Sequence, residues 1–180
     1  KLKAAIDAFQ IDVRGKVCAD IGASTGGFTD CLLQEGALRV HAIDVGYGQL
    51  HQKLRTDARV ISKERVNARY LTDEQLPENV GVVVIDVSFI SLKLVLPAVL
   101  PKLELGGTLI ALVKPQFEVG AQNVDKGGVV KDAAVRQGAI DSISAFVTEQ
   151  GLQLVGVVDS PAPGPAGNVE ALLVARQDEV

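Results

Sequence analysis

Residues Lys16–Phe28 read KVCADIGASTGGF, in which a short apolar run leads into a glycine-rich turn. The run has the length and composition of a β-strand, and the segment that follows, Gly27–Glu35, has a helical pattern. A strand, a glycine turn and a helix in this order form the nucleotide-binding element of many α/β proteins. We therefore expect this stretch to begin a sheet and to lie beside a cofactor site.

The same alternation of apolar runs and helical segments continues along the chain. The sequence predicts seven strands, namely Lys16–Ile21, Arg39–Ile43, Arg59–Ser62, Val80–Asp86, Thr108–Val113, Leu154–Val158 and Glu170–Ala175. It predicts five helices, namely Leu2–Phe9, Gly27–Glu35, Gln49–Leu54, Leu92–Leu103 and Ala133–Gln150. This alternation is typical of an α/β fold, Rossmann-like, with a seven-stranded, mostly parallel sheet.

Two details of the pattern refine this fold. Val80–Ile85 is apolar without alternation, as expected of a parallel strand that is buried on both faces. Ser160–Asn168, between the last two strands, is too short and too rich in Pro and Gly for a crossover helix. We therefore expect the last two strands to form an antiparallel hairpin at the edge of the sheet.

Composition bounds the class of protein. The 180 residues, 47% hydrophobic and 22% charged, predict one globular domain over residues 1–180. No apolar run approaches the roughly 18 residues of a membrane helix, and no signal peptide is visible, so we expect no membrane partner. Two cysteines, Cys18 and Cys31, are too few for a disulfide framework and do not have the spacing of a zinc site. They favour reduced thiols in the core of a cytoplasmic protein, and we expect no metal. The absence of Met and the start at Lys1 predict a piece of a longer protein.

Charge argues against one class of nucleic-acid binder. The net charge of −4 excludes a domain that holds nucleic acid by bulk electrostatics alone. The segment between His51 and Arg69, however, contains six Lys or Arg residues and only two acidic residues. This basic segment is either a solvated face or a surface that contacts phosphates.

The glycine turn is a poor match to the dinucleotide motif, because Ser24 occupies the position of the middle glycine between Gly22 and Gly27. Asp20 would also repel a pyrophosphate, whereas it would attract the ammonium and sulfonium of S-adenosylmethionine. Asp44, 24 residues further on, follows the second strand, where a carboxylate can accept ribose hydroxyls. These residues favour a methyl-donor site; the alternative is a turn that uses glycine only for packing.

Six motifs, in order along nearly the whole chain, carry a family resemblance: DIGASTGGF (20–28), DVGYGQL (44–50), DVSFISL (86–92), LVKPQFE (112–118), GGVVKD (127–132) and SPAPGPAGNVE (160–170). Together they resemble the TlyA-type, hemolysin-labelled branch of the FtsJ-like rRNA 2′-O-methyltransferases. The resemblance implies S-adenosylmethionine as cofactor, a ribose hydroxyl of rRNA as acceptor, and ribosomal RNA or ribosomal subunits as partner. Such proteins carry an N-terminal S4-type RNA-binding domain, which this sequence lacks and which would supply RNA affinity.

The resemblance also assigns site residues. A Lys-Asp-Lys-Glu tetrad surrounds the acceptor hydroxyl in this superfamily, and the matching positions are Lys1, Asp86, Lys114 and Glu170. The residues expected to bind the cofactor are Asp20, Gly22, Ala23, Ser24, Gly26, Gly27, Phe28, Asp44, Asn67 and Asp86. A ribose hydroxyl is a poor nucleophile, so Lys114 would act as base if neutral, or stabilise the alkoxide if charged.

Other functions fit the residues less well. Methylation of base amino groups uses an Asn/Asp-Pro-Pro-aromatic turn, whereas the corresponding turn here, Asp86–Phe89, reads DVSF and contains no proline. Methylation of a ring carbon needs a catalytic cysteine, whereas Cys18 and Cys31 are expected to be core thiols. Phe89 is either a core residue or a site residue, and Gln116–Glu118 either shapes the acceptor pocket or forms a turn. No cationic amphipathic helix supports membrane lysis. The alternative function is a non-catalytic Rossmann-type module that binds S-adenosylmethionine or a dinucleotide.

Overall fold

The computed structural model describes residues 1–179. In chain order it contains α1 (Leu2–Phe9), β1 (Val17–Ile21), α2 (Gly27–Gln34), β2 (Arg39–Ile43), α3 (Gln52–Arg55), β3 (Val60–Lys63), β4 (Val80–Ile85), α4 (Leu92–Val99), β5 (Leu103–Val113), α5 (Ala133–Glu149), β6 (Leu152–Asp159) and β7 (Ala171–Gln177). All seven predicted strands and all five predicted helices are present, and most bounds agree within two residues.

The strands form one sheet in the order β3-β2-β1-β4-β5-β7-β6. The first five strands pair in parallel, and β7 lies antiparallel between β5 and β6. The predicted mostly parallel seven-stranded sheet is confirmed, and so is the C-terminal antiparallel hairpin. β6 forms the edge of the sheet, and β7 is interior.

The core consists of two apolar layers, one on each face of the sheet. Along β4, Val82 and Val84 contact the layer covered by α1 and α2, whereas Val83 and Ile85 contact the layer covered by α4 and α5. Every residue of β4 is buried, which explains the absence of alternation in its sequence. The fold therefore buries a continuous core on both sides of the central strands.

Three element bounds differ from the predicted ones by more than two residues. α3 starts at Gln52 instead of Gln49, because His51 Nδ1 accepts a hydrogen bond from Lys53 N and caps the helix there. α4 ends at Val99, and a 3₁₀ turn containing Pro101 follows. β5 starts at Leu103, five residues earlier than predicted, and its pairing with β4 shifts register before Thr108.

The topology collects several chain segments at one edge of the sheet. Parallel strands β1 to β5 all end there, so the loops that follow them are neighbours. Because β7 runs in the opposite direction, it begins at that edge, with Ala171 opposite Val113. The loops that follow β1, β2, β4 and β5 therefore meet the loop that precedes β7.

None of the helices in residues 1–179 is long and apolar enough to cross a membrane.

Candidate active site

The glycine turn after β1 brings two loops into close contact. Gly22 has a φ of +84°, and a Cβ at this position would lie 2.1 Å from the backbone oxygen of Asp86. Gly22 N and Ala23 N donate to Ile43 O at 2.8 and 3.1 Å, which ties the turn to the end of β2. Gly26, with a φ of +107°, precedes α2. Glycine is required by conformation at both positions, and in both a Cβ would meet a close neighbour: the Asp86 backbone at Gly22 and the Leu54 side chain at Gly26.

Asp20 lies behind this turn and is fully buried. Its Oδ2 accepts a hydrogen bond from Thr29 Oγ1 at 2.7 Å, whereas its Oδ1 has no donor within the described part of the chain. Burial raises the pKa of the Asp20 carboxyl to about 7, and the charges of Asp86 and Asp44 act in the same direction. The hydrogen bond from Thr29 opposes this shift in pKa.

A cavity of about 530 Å³ opens at the carboxyl edge of the sheet. Five of the residues expected to bind the cofactor line it, namely Gly22, Ser24, Asp44, Asn67 and Asp86. The other five lie outside its lining. Ala23 and Gly26 are buried in the turn, Asp20 is buried at the end of β1, and Gly27 and Phe28 face a second cavity beside Lys1.

Asp44 and Asn67 present oxygen and amide groups to this cavity. Asp44 Oδ1 accepts a hydrogen bond from Ser24 N at 3.1 Å, and Oδ2 accepts one from Gly46 N at 2.8 Å. Each carboxylate oxygen can accept a further bond, so two hydroxyls can bind here. Asn67 Oδ1 accepts a bond from Arg69 N at 3.1 Å and caps a 3₁₀ turn, which leaves its amide N–H groups for a ligand.

The four predicted catalytic side chains form two ion pairs. Lys114 Nζ lies 2.6 Å from Asp86 Oδ1, and Lys1 Nζ lies 2.7 Å from Glu170 Oε1. The side chain of Glu170 is fully buried, and that of Lys114 is 11% exposed. Among residues 1–179, no donor reaches Glu170 Oε2.

Strand register brings the two pairs together. Val113 and Ala171 are partners in the ladder between β5 and β7. Lys114 and Glu170, the next residues outward on each strand, therefore occupy adjacent positions. Asp86 follows the neighbouring strand β4. Asp86 and Lys114 line the cavity, and Glu170, which holds Lys1, lies at the position next to Lys114 outside that lining.

Two further residues belong to this site. Ser88 was not singled out by the sequence analysis, and the role of Phe89 was left open there. Ser88 Oγ accepts a hydrogen bond from Lys114 Nζ at 2.8 Å; its place two residues after Asp86 is the only signal in the sequence. Phe89 is 90% exposed, which excludes the core interpretation. Its ring lies 5.1 Å from that of Phe117 at 52°, and its φ is +64°.

The basic segment between His51 and Arg69 is partly neutralised. Arg55 pairs with Glu64, and Arg59 pairs with Asp57. Two other arginines lie over exposed tyrosine rings, Arg65 over Tyr47 at 4.4 Å and Arg69 over Tyr70 at 5.5 Å.

No cluster of three or more potential metal ligands occurs in the described range 1–179. Cys18 and Cys31 are free, and burial raises the pKa of the Cys18 thiol to about 12. This thiol is therefore protonated at neutral pH, as expected of an inert core residue.

Comparison with known proteins agrees with this geometry. The model of the FtsJ-like methyltransferase family matches residues 1–177. The chain is 51% identical over 176 residues to the 16S/23S rRNA (cytidine-2′-O)-methyltransferase TlyA of Mycobacterium tuberculosis, covering 98% of this chain and 66% of that protein. It is 42% identical to hemolysin A of Brachyspira hyodysenteriae, with 96% and 72% covered. The chain thus spans just under two thirds of the M. tuberculosis relative.

A solved structure gives the same result. A hemolysin-named protein of Lactococcus lactis superposes with a TM-score of 0.95 at 43% identity, over 99% of this chain and 86% of that one. A match of this extent in sequence, fold and site order leaves one assignment: the chain belongs to the FtsJ-like methyltransferase family.

Proposed function

We propose that this chain is the methyl-transfer domain of a cytoplasmic enzyme that methylates the ribose 2′-hydroxyl of ribosomal RNA, with S-adenosylmethionine as methyl donor. The observation that carries the proposal is the Asp86–Lys114 ion pair, which lines the cavity, with the Lys1–Glu170 pair at the adjacent position of the sheet. A module that only binds a nucleotide has no use for Asp86, Lys114 and Glu170 together at three strand ends.

The residues of the cavity fit S-adenosylmethionine. Asp44 and Asp86 line it, and Asp20 lies buried behind the glycine turn with one unpartnered oxygen. This concentration of carboxylates favours a cationic ligand, and disfavours a pyrophosphate. The close approach of Gly22 to the Asp86 backbone forms the floor on which such a ligand would lie. When bound, S-adenosylmethionine supplies an electrophilic methyl group.

Lys114 is the residue that acts on the acceptor oxygen. An ammonium has three N–H donors; Ser88 Oγ accepts a hydrogen bond from one of them, and Asp86 Oδ1 lies 2.6 Å from Nζ as its ion-pair partner. A further N–H is available to the acceptor oxygen, where it stabilises the negative charge that develops as the hydroxyl proton passes to solvent. Asp86 keeps Lys114 oriented and balances its charge. Because Lys114 is nearly buried, this interaction is stronger than it would be in water.

Glu170 and Lys1 form the second ion pair of the candidate site, next to Lys114. Glu170 fixes Lys1 through Oε1, and its Oε2 is buried without a partner among the described residues. Gly164 packs against this oxygen, since a Cβ there would lie 2.6 Å from Oε2. The pair therefore fixes the Lys1 ammonium, which can help to orient the acceptor nucleotide, and proximity and orientation supply much of the rate of a displacement reaction.

The surroundings of the site suit an RNA acceptor. The exposed ring of Phe89, supported by Phe117, offers a stacking platform for an unstacked base at the cavity mouth. Arg65 and Arg69, each over a tyrosine ring, add cations that can contact phosphates. The M. tuberculosis relative is named for methylation of cytidine ribose in rRNA. With a net charge of −4, this domain would depend on an S4-type domain for much of its RNA affinity.

Transfer to ribosomal subunits tests the reaction. The full-length protein is incubated with labelled S-adenosylmethionine and isolated subunits, and the product is mapped as a ribose that resists alkaline cleavage. We expect a labelled 2′-O-methylribose with the wild-type protein and none with Lys114→Ala. Label on a base, or equal transfer by Lys114→Ala, would refute the assignment.

Calorimetry tests the cofactor independently. S-adenosylmethionine is titrated into the wild-type protein and into Lys114→Ala, with NAD as the control ligand. We expect micromolar binding of S-adenosylmethionine to both proteins and no binding of NAD. Binding of NAD instead would favour the dinucleotide-binding alternative.

A further inference from the structure

Glu118 joins the two loops that form the acceptor side of the candidate site. The β4 loop is defined as Asp86–Ser91, and the β5 loop as Lys114–Glu118. Glu118 Oε2 accepts a hydrogen bond from Ser91 Oγ at 2.6 Å, and Oε1 accepts one from Leu92 N at 2.8 Å. Both oxygens of one carboxylate therefore hold the end of the β4 loop.

The same carboxylate completes the start of α4. Ser91 caps this helix, since its Oγ accepts a hydrogen bond from Lys93 N at 3.1 Å. The first turn of α4 contains no acidic residue, so Glu118 supplies from the β5 loop the negative charge that a helix N-terminus favours. Glu118 is half-buried, which makes its hydrogen bonds harder for water to replace.

The β5 loop transmits the position of Glu118 to Lys114, because it is a short hydrogen-bonded turn. Phe117 N donates to Lys114 O at 3.0 Å, and Glu118 N donates to Pro115 O at 3.0 Å. At the other end of the loop, Lys114 Nζ donates to Ser88 Oγ. The two loops are thus linked on both sides of the point where their aromatic rings meet.

Phe89 lies between these two links. Its φ of +64° is unfavourable for a residue with a side chain, and such a conformation persists only where its surroundings fix it. Ser88, before it, is held by Lys114, and Ser91, after it, is held by Glu118. In the proposed reaction Lys114 also contacts the acceptor oxygen, whereas Glu118 contacts only the loop and the helix start.

We infer that Glu118 is a positioning residue: its carboxylate fixes the β4 loop against the β5 loop, so that Lys114 and the Phe89 ring meet the acceptor nucleotide in one arrangement. Its kinetic consequence rests on the proposed function, but the link between the loops does not. Glu118 contacts neither the cavity lining nor the reacting atoms, and it acts through Lys114 and Phe89.

Kinetics of the full-length protein test the inference. Because small displacements at a reacting centre are costly, Glu118→Ala should lower kcat roughly 10- to 100-fold. The dissociation constant of S-adenosylmethionine should stay within about two-fold, since Glu118 holds the end of the β4 loop at Ser91 and Leu92 and does not line the cavity. Glu118→Gln should recover kcat to within about three-fold, because its amide can accept from Leu92 N and donate to Ser91 Oγ. Unchanged kcat in Glu118→Ala would overturn the inference, as would equal loss of cofactor binding and kcat.

A matched control separates positioning from loss of a helix cap. Asp132 caps α5 by accepting hydrogen bonds from Ala134 N and Val135 N at 2.8 and 3.3 Å. Asp132→Ala should lower Tm, as Glu118→Ala does, but leave kcat within about two-fold, because a cap acts on stability. A comparable fall of kcat in both variants would show that Glu118 acts only through stability.

A spectroscopic test does not depend on activity. The chain contains no Trp, so Phe117→Trp introduces a single reporter beside Phe89. We expect Glu118→Ala in that background to shift the Trp emission to longer wavelength, and Glu118→Gln to restore it. Identical emission in all three proteins would overturn the inference even if the wild-type protein proved inactive on RNA. Failure of the proposed function alone would appear as an inactive wild-type protein with the emission shift intact.

Discussion

Lys114 Nζ lies 2.6 Å from Asp86 Oδ1, which joins the first residue after β5 to the first residue after the adjacent strand β4. The two residues are 28 positions apart in the chain, yet the parallel pairing of their strands makes them neighbours. In the proposed reaction this pair sets both the charge and the direction of the lysine that meets the acceptor oxygen.

Asp86→Asn should abolish most of the transfer while the protein stays folded. The amide keeps an acceptor for Lys114 but removes the charge that orients it. We expect the single-turnover rate on ribosomal subunits to fall by about 10²- to 10³-fold, the usual effect of losing one electrostatic contact in an active site. Asp73→Asn is the control, because Asp73 is exposed and pairs with Lys102 outside the cavity lining. A wild-type rate in Asp86→Asn would refute the role of the pair.

Asp44→Ala should weaken the binding of S-adenosylmethionine. Asp44 is the carboxylate on which two hydroxyls of the cofactor can converge, and loss of hydrogen bonds to a charged group lowers affinity by about 10- to 100-fold. Calorimetric titration measures the change, with Asp57→Ala as the control, since Asp57 pairs with Arg59 outside the cavity. Equal affinities in both variants would place the ribose elsewhere.

Gly22→Ala should destabilise the protein, and Gly27→Ala should not. A Cβ at Gly22 meets the Asp86 backbone and requires a side chain at a φ of +84°, whereas a Cβ at Gly27 meets no atom within 4 Å. Strain of about 1–3 kcal/mol predicts a fall in Tm of roughly 3–10 °C for Gly22→Ala. Gly27 lies within α2, so Ala there should keep or raise Tm. Equal melting temperatures for Gly22→Ala and the wild-type protein would contradict the close contact.

Asp20 predicts a pH dependence of stability. The pKa of the Asp20 carboxyl is about 7 in the folded protein and 3.8 in the reference state. Between about pH 4 and pH 7 the folded state therefore keeps the proton on this carboxyl, whereas the unfolded state has lost it. A carboxyl with a raised pKa therefore costs stability progressively as pH rises from about 4 to 7, and the cost is constant above that range. Asp20→Asn removes this titration.

Urea unfolding of the wild-type protein and Asp20→Asn at pH 5, 6, 7 and 8 measures the effect. The free energy of unfolding of the variant should rise relative to the wild-type protein by about 1.4 kcal/mol per pH unit between pH 5 and 6, and level off near pH 7. Parallel pH profiles for the two proteins would show that Asp20 is ionised in the folded state across this range.

Local sequence patterns predicted the elements well where each pattern has a single structural solution. The apolar run Val80–Ile85 could only be a buried strand, and the turn at Gly22 could only be formed by a residue that tolerates a positive φ. Bounds failed where a side chain decides them, as at His51, whose cap delays α3. A propensity pattern does not contain that hydrogen bond.

The sequence predicted which residues form the candidate site and at which strand ends they lie, but it did not predict which side chains contact each other. Lys1, Asp86, Lys114 and Glu170 were placed by their position relative to strands and by family resemblance, and their catalytic roles stay predictions. Ser88 and Glu118 received no specific role, because a serine in a turn and a glutamate after a 3₁₀ turn are common in loops. Their partners, Lys114 and Ser91, become visible only when the loops meet.

The sequence by itself determined the order of strands and helices, the glycine turn and the acidic and basic residues that end the strands. These follow from local patterns, in which neighbouring residues fix the backbone and the periodicity fixes the buried faces. Tertiary structure alone decided that Lys1 meets Glu170 across 169 positions, that Phe89 is exposed against Phe117, and that Glu118 joins two loops. The physical reason is that such contacts depend on the register of strands far apart in the chain, and register is set by packing of the whole core.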